Sequence, residues 1–218
     1  MSFFSTTLNS ILDIVFPINC ISCGIPGSDL CMACLSDCPS AERESAKWIF
    51  PLYDYRHPPI KAALWLLKYK HKKRLAIIFA EILHGRILEE LSELSVMQNF
   101  NHAILISIPL SKKRYRERGY NQAELICREL VKLDENLSFK NNVLTKMKDT
   151  EHQARIKNRE VRLKNIVGSF AVENAESIEG RNIILIDDIT TTGATLTEAR
   201  KILKQAGARK VIAFTVAH

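Results

Sequence analysis

No stretch of this 218-residue chain reaches the roughly 18 consecutive apolar residues that a membrane-crossing helix needs, so no helical span is expected. Residues 1–16 are largely apolar but carry Asn9 and Asp13 and lack a basic n-region. They read as an amphipathic helix with Phe4, Leu8, Ile11, Leu12 and Val15 on one face, stopped by Pro17, and not as a signal peptide. The expected location is the cytoplasm. None of the eight glycines opens a G-x-x-x-x-G-K-[ST] run, which excludes a P-loop nucleotide site. Aromatic residues are 7% of the chain, and none can be assigned from the sequence to a base-stacking pocket. Between Cys20 and Cys38 there is no Lys or Arg, while Asp29 and Asp37 are present, so that stretch is not a basic surface.

The whole chain nevertheless carries a formal charge of +7, which favours anionic partners such as nucleotides, pyrophosphate or nucleic acid. Of six cysteines, four form the pairs Cys20-x-x-Cys23 and Cys31-x-x-Cys34. In a cytosolic chain such pairs read as metal knuckles, and four thiolates suit tetrahedral zinc. The link between the pairs is shorter than in a usual zinc ribbon, and Gly24, Pro26 and Gly27 allow a tight turn there. Cys38 stands by as an alternative ligand. Cys127 falls in an apolar helical pattern and is expected in the core.

The most informative stretch lies near the C-terminus. Ile183-Ile184-Leu185-Ile186 reads as a buried parallel strand, followed by Asp187-Asp188, the hydroxyl-rich Thr190-Thr191-Thr192, Gly193, and a helical pattern from about Thr195 with Leu196, Ala199, Leu203 and Ala206 on one face. A strand, a small-residue loop and a helix N-terminus in that order form an anion site, because loop amides and the positive end of the helix dipole converge on a phosphate. The two carboxylates would then sit beside the phosphate, where a sugar diol or hydrated magnesium finds acceptors.

A second strand, Ala103 to Pro109, is followed by the basic stretch Leu110 to Gln122, read as a loop, and by a helix with Ala123, Ile126, Cys127 and Leu130 inward. In an open parallel sheet such a loop faces its neighbour across the crevice at the strands' carboxyl ends. Its alternative is an ordinary solvated basic turn. Further strands are expected at 48–55, 168–172 and 211–216, with helices after Pro58-Pro59 and along Ile78 to Leu91. The run Lys68 to Arg74 reads as a solvated face, or, with Tyr69 inside it, as a nucleic-acid patch separate from the phosphate loop. Residues 145–165 are polar and poorly periodic, with Gln153, Arg159 and Arg162 standing out, as in a functional lid or a disordered segment.

The Asp187–Thr195 stretch resembles the signature of type I phosphoribosyltransferases. That resemblance implies that Asp187 and Asp188 hold the ribose hydroxyls of phosphoribosyl pyrophosphate (PRPP), with magnesium, and act as the catalytic pair in an active enzyme. It implies that Thr191, Thr192, Gly193, Ala194 and Thr195 wrap the 5′-phosphate, and that Leu110, Ser111 and Lys112, with Arg114 and Arg118, face the pyrophosphate. More closely, the whole chain resembles the ComF family. The match rests on the helix ending in Pro17, the close-set Cys pairs, Tyr53 to Tyr55, Lys61, Lys68-Tyr69, Arg118-Gly119-Tyr120-Asn121-Gln122-Ala123, Thr150 to Gln153, Arg162-x-x-Asn165 and the Asp187–Thr195 loop.

The fold class expected is therefore α/β, a type I phosphoribosyltransferase-like parallel sheet of about five strands with a small N-terminal four-cysteine zinc module. The division expected is residues 1–45 for helix and module and 46–218 for the phosphoribosyltransferase-like part, with 46–100 a helical hood and 101–218 the core. Three functions stay open: a competence protein that binds PRPP or a nucleotide, single-stranded DNA and other DNA-uptake proteins; a magnesium-dependent transferase acting on a base or amine; and a non-catalytic scaffold that keeps the site.

Overall fold

The computed structural model describes residues 18–41, 46–98, 100, 102–147 and 166–218. The expected helix at 3–16 and most of the 145–165 segment, including Gln153, Arg159 and Arg162, lie outside the described residues.

The architecture is α/β. Five parallel strands form one sheet: β1 (Ile49–Tyr53), β2 (Ile104–Ser107), β3 (Ser138–Phe139), β6 (Asn182–Ile189) and β7 (Lys210–Ala217), in the spatial order β1-β7-β6-β2-β3. β4 (Leu144–Lys146) and β5 (Phe170–Val172) form a separate antiparallel pair. The strand expected at 168–172 is present as Phe170–Val172, outside the main sheet. Phe170–Val172 pairs with Leu144–Lys146, and the sheet's fifth member is the two-residue β3, too short to leave an apolar pattern.

The central strand is built from Ile183, Ile184, Leu185 and Ile186, each fully buried. Because side chains alternate along a strand, these residues divide between two cores. Ile184 and Ile186 join the helices α2 (Pro58–Tyr69), α3 (Leu75–Gln98) and α5 (Gln122–Leu133), through residues such as Leu64, Phe79, Leu83, Ile126 and Leu130. Ile183 and Leu185 join α6 (Ala194–Gln205) through Leu196, Ala199 and Leu203. The β2 crossover helix α5 and the β6 crossover helix α6 therefore cover opposite faces. The carboxyl ends of β2 and β6 form the crevice where such sheets place ligands.

Between β2 and α5 the expected basic loop is corrected. Lys112–Arg118 is a short helix, α4, with Ser111 as N-cap and Gly119 in the left-handed conformation (φ 76°) closing it. Its seven residues are nearly all charged, so no apolar period marks it. Asn121 then caps α5: its Oδ1 accepts from the Ala123 N–H (3.1 Å) and its Nδ2 donates to the Ile108 carbonyl (2.9 Å), tying the helix start to the end of β2.

The cysteine pairs sit in a small unit containing α1 (Met32–Ser36). Its Cys20, Leu30, Leu35 and Cys38 belong to the same apolar cluster as α2 and α3. Buried Asp29 is paired with Lys72 Nζ at 3.0 Å, a polar tie from this unit to the turn after α2. Cys127 is fully buried, as its pattern foretold. Among the described residues no helix is long and apolar enough to cross a membrane.

Candidate functional site

The acid pair lies near the carboxyl end of β6. β2 ends at Ser107, opposite Ile186, whereas β6 stays paired with β7 as far as Ile189 and Ala217. Asp187 and Asp188 therefore stand just past the end of β2, at the open side of the crevice. The Asp188 N–H donates to Asp187 Oδ1 (2.9 Å), and Asp188 Oδ2 pairs with Lys68 Nζ at 2.8 Å, with both side chains largely covered. Burial and the neighbouring Asp188 charge push the Asp187 carboxyl up to about 7, although the Asp188 N–H, Lys68 and Lys146 pull the other way. Two adjacent carboxylates in a covered site call for positive charge or hydroxyl donors. That chemistry fits magnesium or a ribose diol, with oxygen ligands supplied by Asp187 and Asp188.

The loop that follows is short. The Thr190 N–H donates to the Ala217 carbonyl (2.9 Å), which holds the loop's start against β7. The Thr192 hydroxyl accepts from the Ala194 N–H (3.4 Å). Gly193 is the N-cap of α6 with φ 70°, a conformation that residues with a Cβ resist. The first-turn N–H groups of a helix have no intrahelical acceptor, so this end offers amides to an anion.

Asp187, Asp188 and all of Thr190 to Leu196 line one cavity of about 570 Å³. Its other wall comes from Pro109, Leu110, Arg114 and Arg118, and its roof from Trp65, Lys68 and Tyr69 of α2. The structure thus brings together both acids, the five expected phosphate-loop residues Thr191 to Thr195, and Leu110. Ser111 and Lys112 are placed differently. The buried Ser111 hydroxyl accepts the Arg114 N–H (3.4 Å) as a helix cap, and Lys112 is the exposed first residue of α4.

Several lining residues were not singled out for this site from the sequence. Lys68, Trp65 and Tyr69 come from a helix more than a hundred positions from the acids and reach the cavity through tertiary packing. Lys146 arrives from β4. Gln122, almost fully buried, accepts from Arg118 Nη1 through its Oε1 (2.8 Å). Tyr120 donates from its hydroxyl to the Leu67 carbonyl and so pins the α4–α5 junction to α2. The Arg118–Gln122 motif was the available signal for this wall, since its residues hold the turn together.

The second candidate centre is the cysteine cluster. The Sγ atoms of Cys20, Cys23, Cys31 and Cys34 all lie within 4.8 Å of one another, with Cys23 and Cys31 at 3.7 Å. Four sulfurs about 2.3 Å from a central zinc would stand roughly 3.8 Å apart, so the set fits a tetrahedral ion. The first pair is shaped by the turn in which the Gly24 N–H donates to the Cys20 carbonyl (2.9 Å), and the second sits at the start of α1. Burial raises the Cys20 pKa, but N–H donors from Cys23, Cys31 and Ser22 outweigh it and hold the thiol at about 6. Cys38 lies apart from this set. Its buried thiol donates to the Cys34 carbonyl (3.1 Å).

Residues 117–218 match the family described as "Phosphoribosyl transferase domain". The chain is 27% identical over 200 residues to the DNA utilization protein YhgH of Escherichia coli O157:H7, covering 88% of this chain and 80% of that protein. It is 38% identical over 138 residues to the competence protein ComFC of Bacillus subtilis (strain 168), covering 63% of this chain and about half, 53%, of that one. Among solved structures, a hypoxanthine phosphoribosyl transferase of Trypanosoma cruzi aligns at 13% identity and a TM-score of 0.39, over 64% of this chain and 63% of its own. Parallel sheet, acid pair and small-residue loop thus define a domain of the phosphoribosyltransferase class. Within that class, the relatives named competence protein and DNA utilization protein agree with the ComF family that the sequence resembles.

Proposed function

We propose that this chain binds PRPP with magnesium, and single-stranded DNA, as a ComF-like protein of DNA uptake or utilization. The observation that carries the reading is the single cavity that unites Asp187, Asp188 and the Thr190–Gly193 loop at the start of α6. The loop takes the 5′-phosphate, the acids take the ribose hydroxyls and magnesium, and the wall from Leu110 through α4 takes the pyrophosphate, with Arg114 and Arg118 as its charges and Ser111 as the cap that holds α4. Zinc on Cys20, Cys23, Cys31 and Cys34 folds the N-terminal unit, residues 1–45, onto the phosphoribosyltransferase-like part, residues 46–218. A reduced thiolate site of this kind agrees with a cytoplasmic location. The names of the relatives, a DNA utilization protein and a competence protein, support the process.

Calorimetric titration tests the central claim. PRPP should bind with magnesium, and Asp187→Asn and Asp188→Asn should each weaken it about tenfold or more while changing inorganic phosphate about twofold at most, since loop amides hold phosphate without the carboxylates. Equal losses for both ligands would overturn these roles. Metal analysis of protein purified under reducing conditions should find about one zinc per chain, lost together with the fold of the N-terminal unit in Cys20→Ser.

A further inference from the structure

Outside the phosphate loop, two elements leave aromatic rings in solvent beside positive charge. Trp65 and Tyr69, one helical turn apart on α2, are 47% and 53% exposed with ring centroids 6.1 Å apart, and Lys70 Nζ lies 5.5 Å from the centre of the Trp65 ring. On α4, Tyr115 is 50% exposed within a run that holds Lys112, Lys113, Arg114, Arg116 and Arg118. Arg118 joins the two elements. Its guanidinium carbon sits 5.1 Å over the Tyr69 ring, and its Nη2 donates to the Tyr69 hydroxyl (3.3 Å). Rings left in water add little to folding. Exposed rings interleaved with guanidinium and ammonium groups are the surface on which single-stranded nucleic acid stacks its bases and lays its backbone.

Three lysines of the run Lys68 to Arg74, the patch favoured from the sequence, are engaged in contacts within the fold. Lys68 pairs with Asp188, Lys72 pairs with Asp29, and Lys73 lies over the buried Tyr120 ring at 4.9 Å. Lys70 instead adjoins Trp65, which lines the cavity together with Tyr69, Arg114 and Arg118.

We propose that the strand-binding surface of this protein is the rim formed by the end of α2 and by α4, and that a single strand and PRPP exclude one another because this rim is the mouth of the cavity. The proposal rests on the reading of the cavity as a PRPP site. Arg118 and Tyr69 serve both ligands, and the polyphosphate of one repels the phosphodiesters of the other at close range.

The test is fluorescence anisotropy of a labelled oligothymidylate, paired with calorimetry of PRPP–magnesium on the same protein. Saturating PRPP–magnesium should raise the apparent Kd for the strand about tenfold or more. Trp65→Ala and Tyr69→Ala should each weaken the strand about tenfold, the scale of one lost stacking partner. Arg116→Ala, on the rim, should lower the slope of log K against log salt by about one. If PRPP binds by calorimetry and the strand Kd is unmoved, exclusion is overturned while the PRPP reading stands. If PRPP does not bind, that reading falls, and with it the exclusion. If the oligothymidylate does not bind, or binds Trp65→Ala and Tyr69→Ala as tightly as the parent, the rim assignment is overturned.

Discussion

The connections that leave β2 and β6 begin side by side at the same edge of the sheet, yet they solve the same problem in different ways. From β6 the chain makes a tight turn of hydroxyl residues and one left-handed glycine, then enters a twelve-residue helix. From β2 it first inserts the seven-residue helix α4, closes it with Gly119 and only then begins α5. The first connection presents backbone amides and carboxylates held by the sheet. The second presents long basic side chains on a helix with no buried residue of its own. Backbone that is hydrogen-bonded to β7 gives a fixed cradle, whereas arginines on a short exposed helix supply charge that can shift. The β6 side should therefore be intolerant of change and the β2 side tolerant.

The largest effect is expected at Gly193. Valine there must take a φ near 70° that β-branched residues resist, at a cost of about 1–3 kcal/mol, or the loop must move. Gly193→Val should weaken PRPP by about a hundredfold or more by calorimetry. PRPP affinity within a factor of about three would mean that the loop is not the cradle.

The next effect concerns pH. Asp187 titrates near 7 in the folded protein against about 3.9 in an unfolded chain. Between those values the folded state holds a proton that the unfolded state has released, so this group's contribution to stability is full below about pH 4 and is lost as pH rises through 7. Asp187→Asn should therefore raise the Tm of the ligand-free protein at pH 8 and change it little at pH 4, as followed by calorimetric melting. A variant that melts below the parent at pH 8 would contradict the assignment.

The difference between the two connections also accounts for what could be read from the chain. The β6 side is contiguous in sequence. Its strand, acids, glycine and helix follow one another within about fifteen positions, and each step has a local signature. The β2 side hid its helix because Lys112–Arg118 has no apolar face. Ser111 and Gly119, a cap at each end, were the marks it left. The roof of the cavity could not be read as part of this site. Lys68, Trp65 and Tyr69 carry no local sign of their target, and their place depends on α2 packing over the sheet through Ile60, Leu64 and Leu67. The cysteine cluster was legible because knuckle spacing is itself the geometry of the site.

A smaller effect is expected at Ser111, and it separates two roles. As a helix cap, Ser111→Ala should cost about 1 kcal/mol and loosen α4, lowering PRPP affinity severalfold through Arg114 and Arg118. Ser111→Asp, which caps as well as serine, should restore stability to the parent's level. If Ser111 instead met the pyrophosphate directly, the added carboxylate would repel it, and PRPP would bind Ser111→Asp worse than Ser111→Ala.

The smallest effect is expected at Gly119, the counterpart of Gly193 on the tolerant side. Its φ of 76° is nearly the same as that of Gly193, so an added side chain meets a similar backbone strain. Nothing lies within 4 Å of where its Cβ would be, so strain is the whole penalty, and for alanine it is about 1 kcal/mol. No part of the proposed phosphate cradle is built on this residue. Gly119→Ala should lower the Tm by a few degrees and leave PRPP affinity within about a factor of two. A loss comparable to that of Gly193→Val would mean that α4 is held as rigidly as the β6 loop and that the two connections are equal partners in the site.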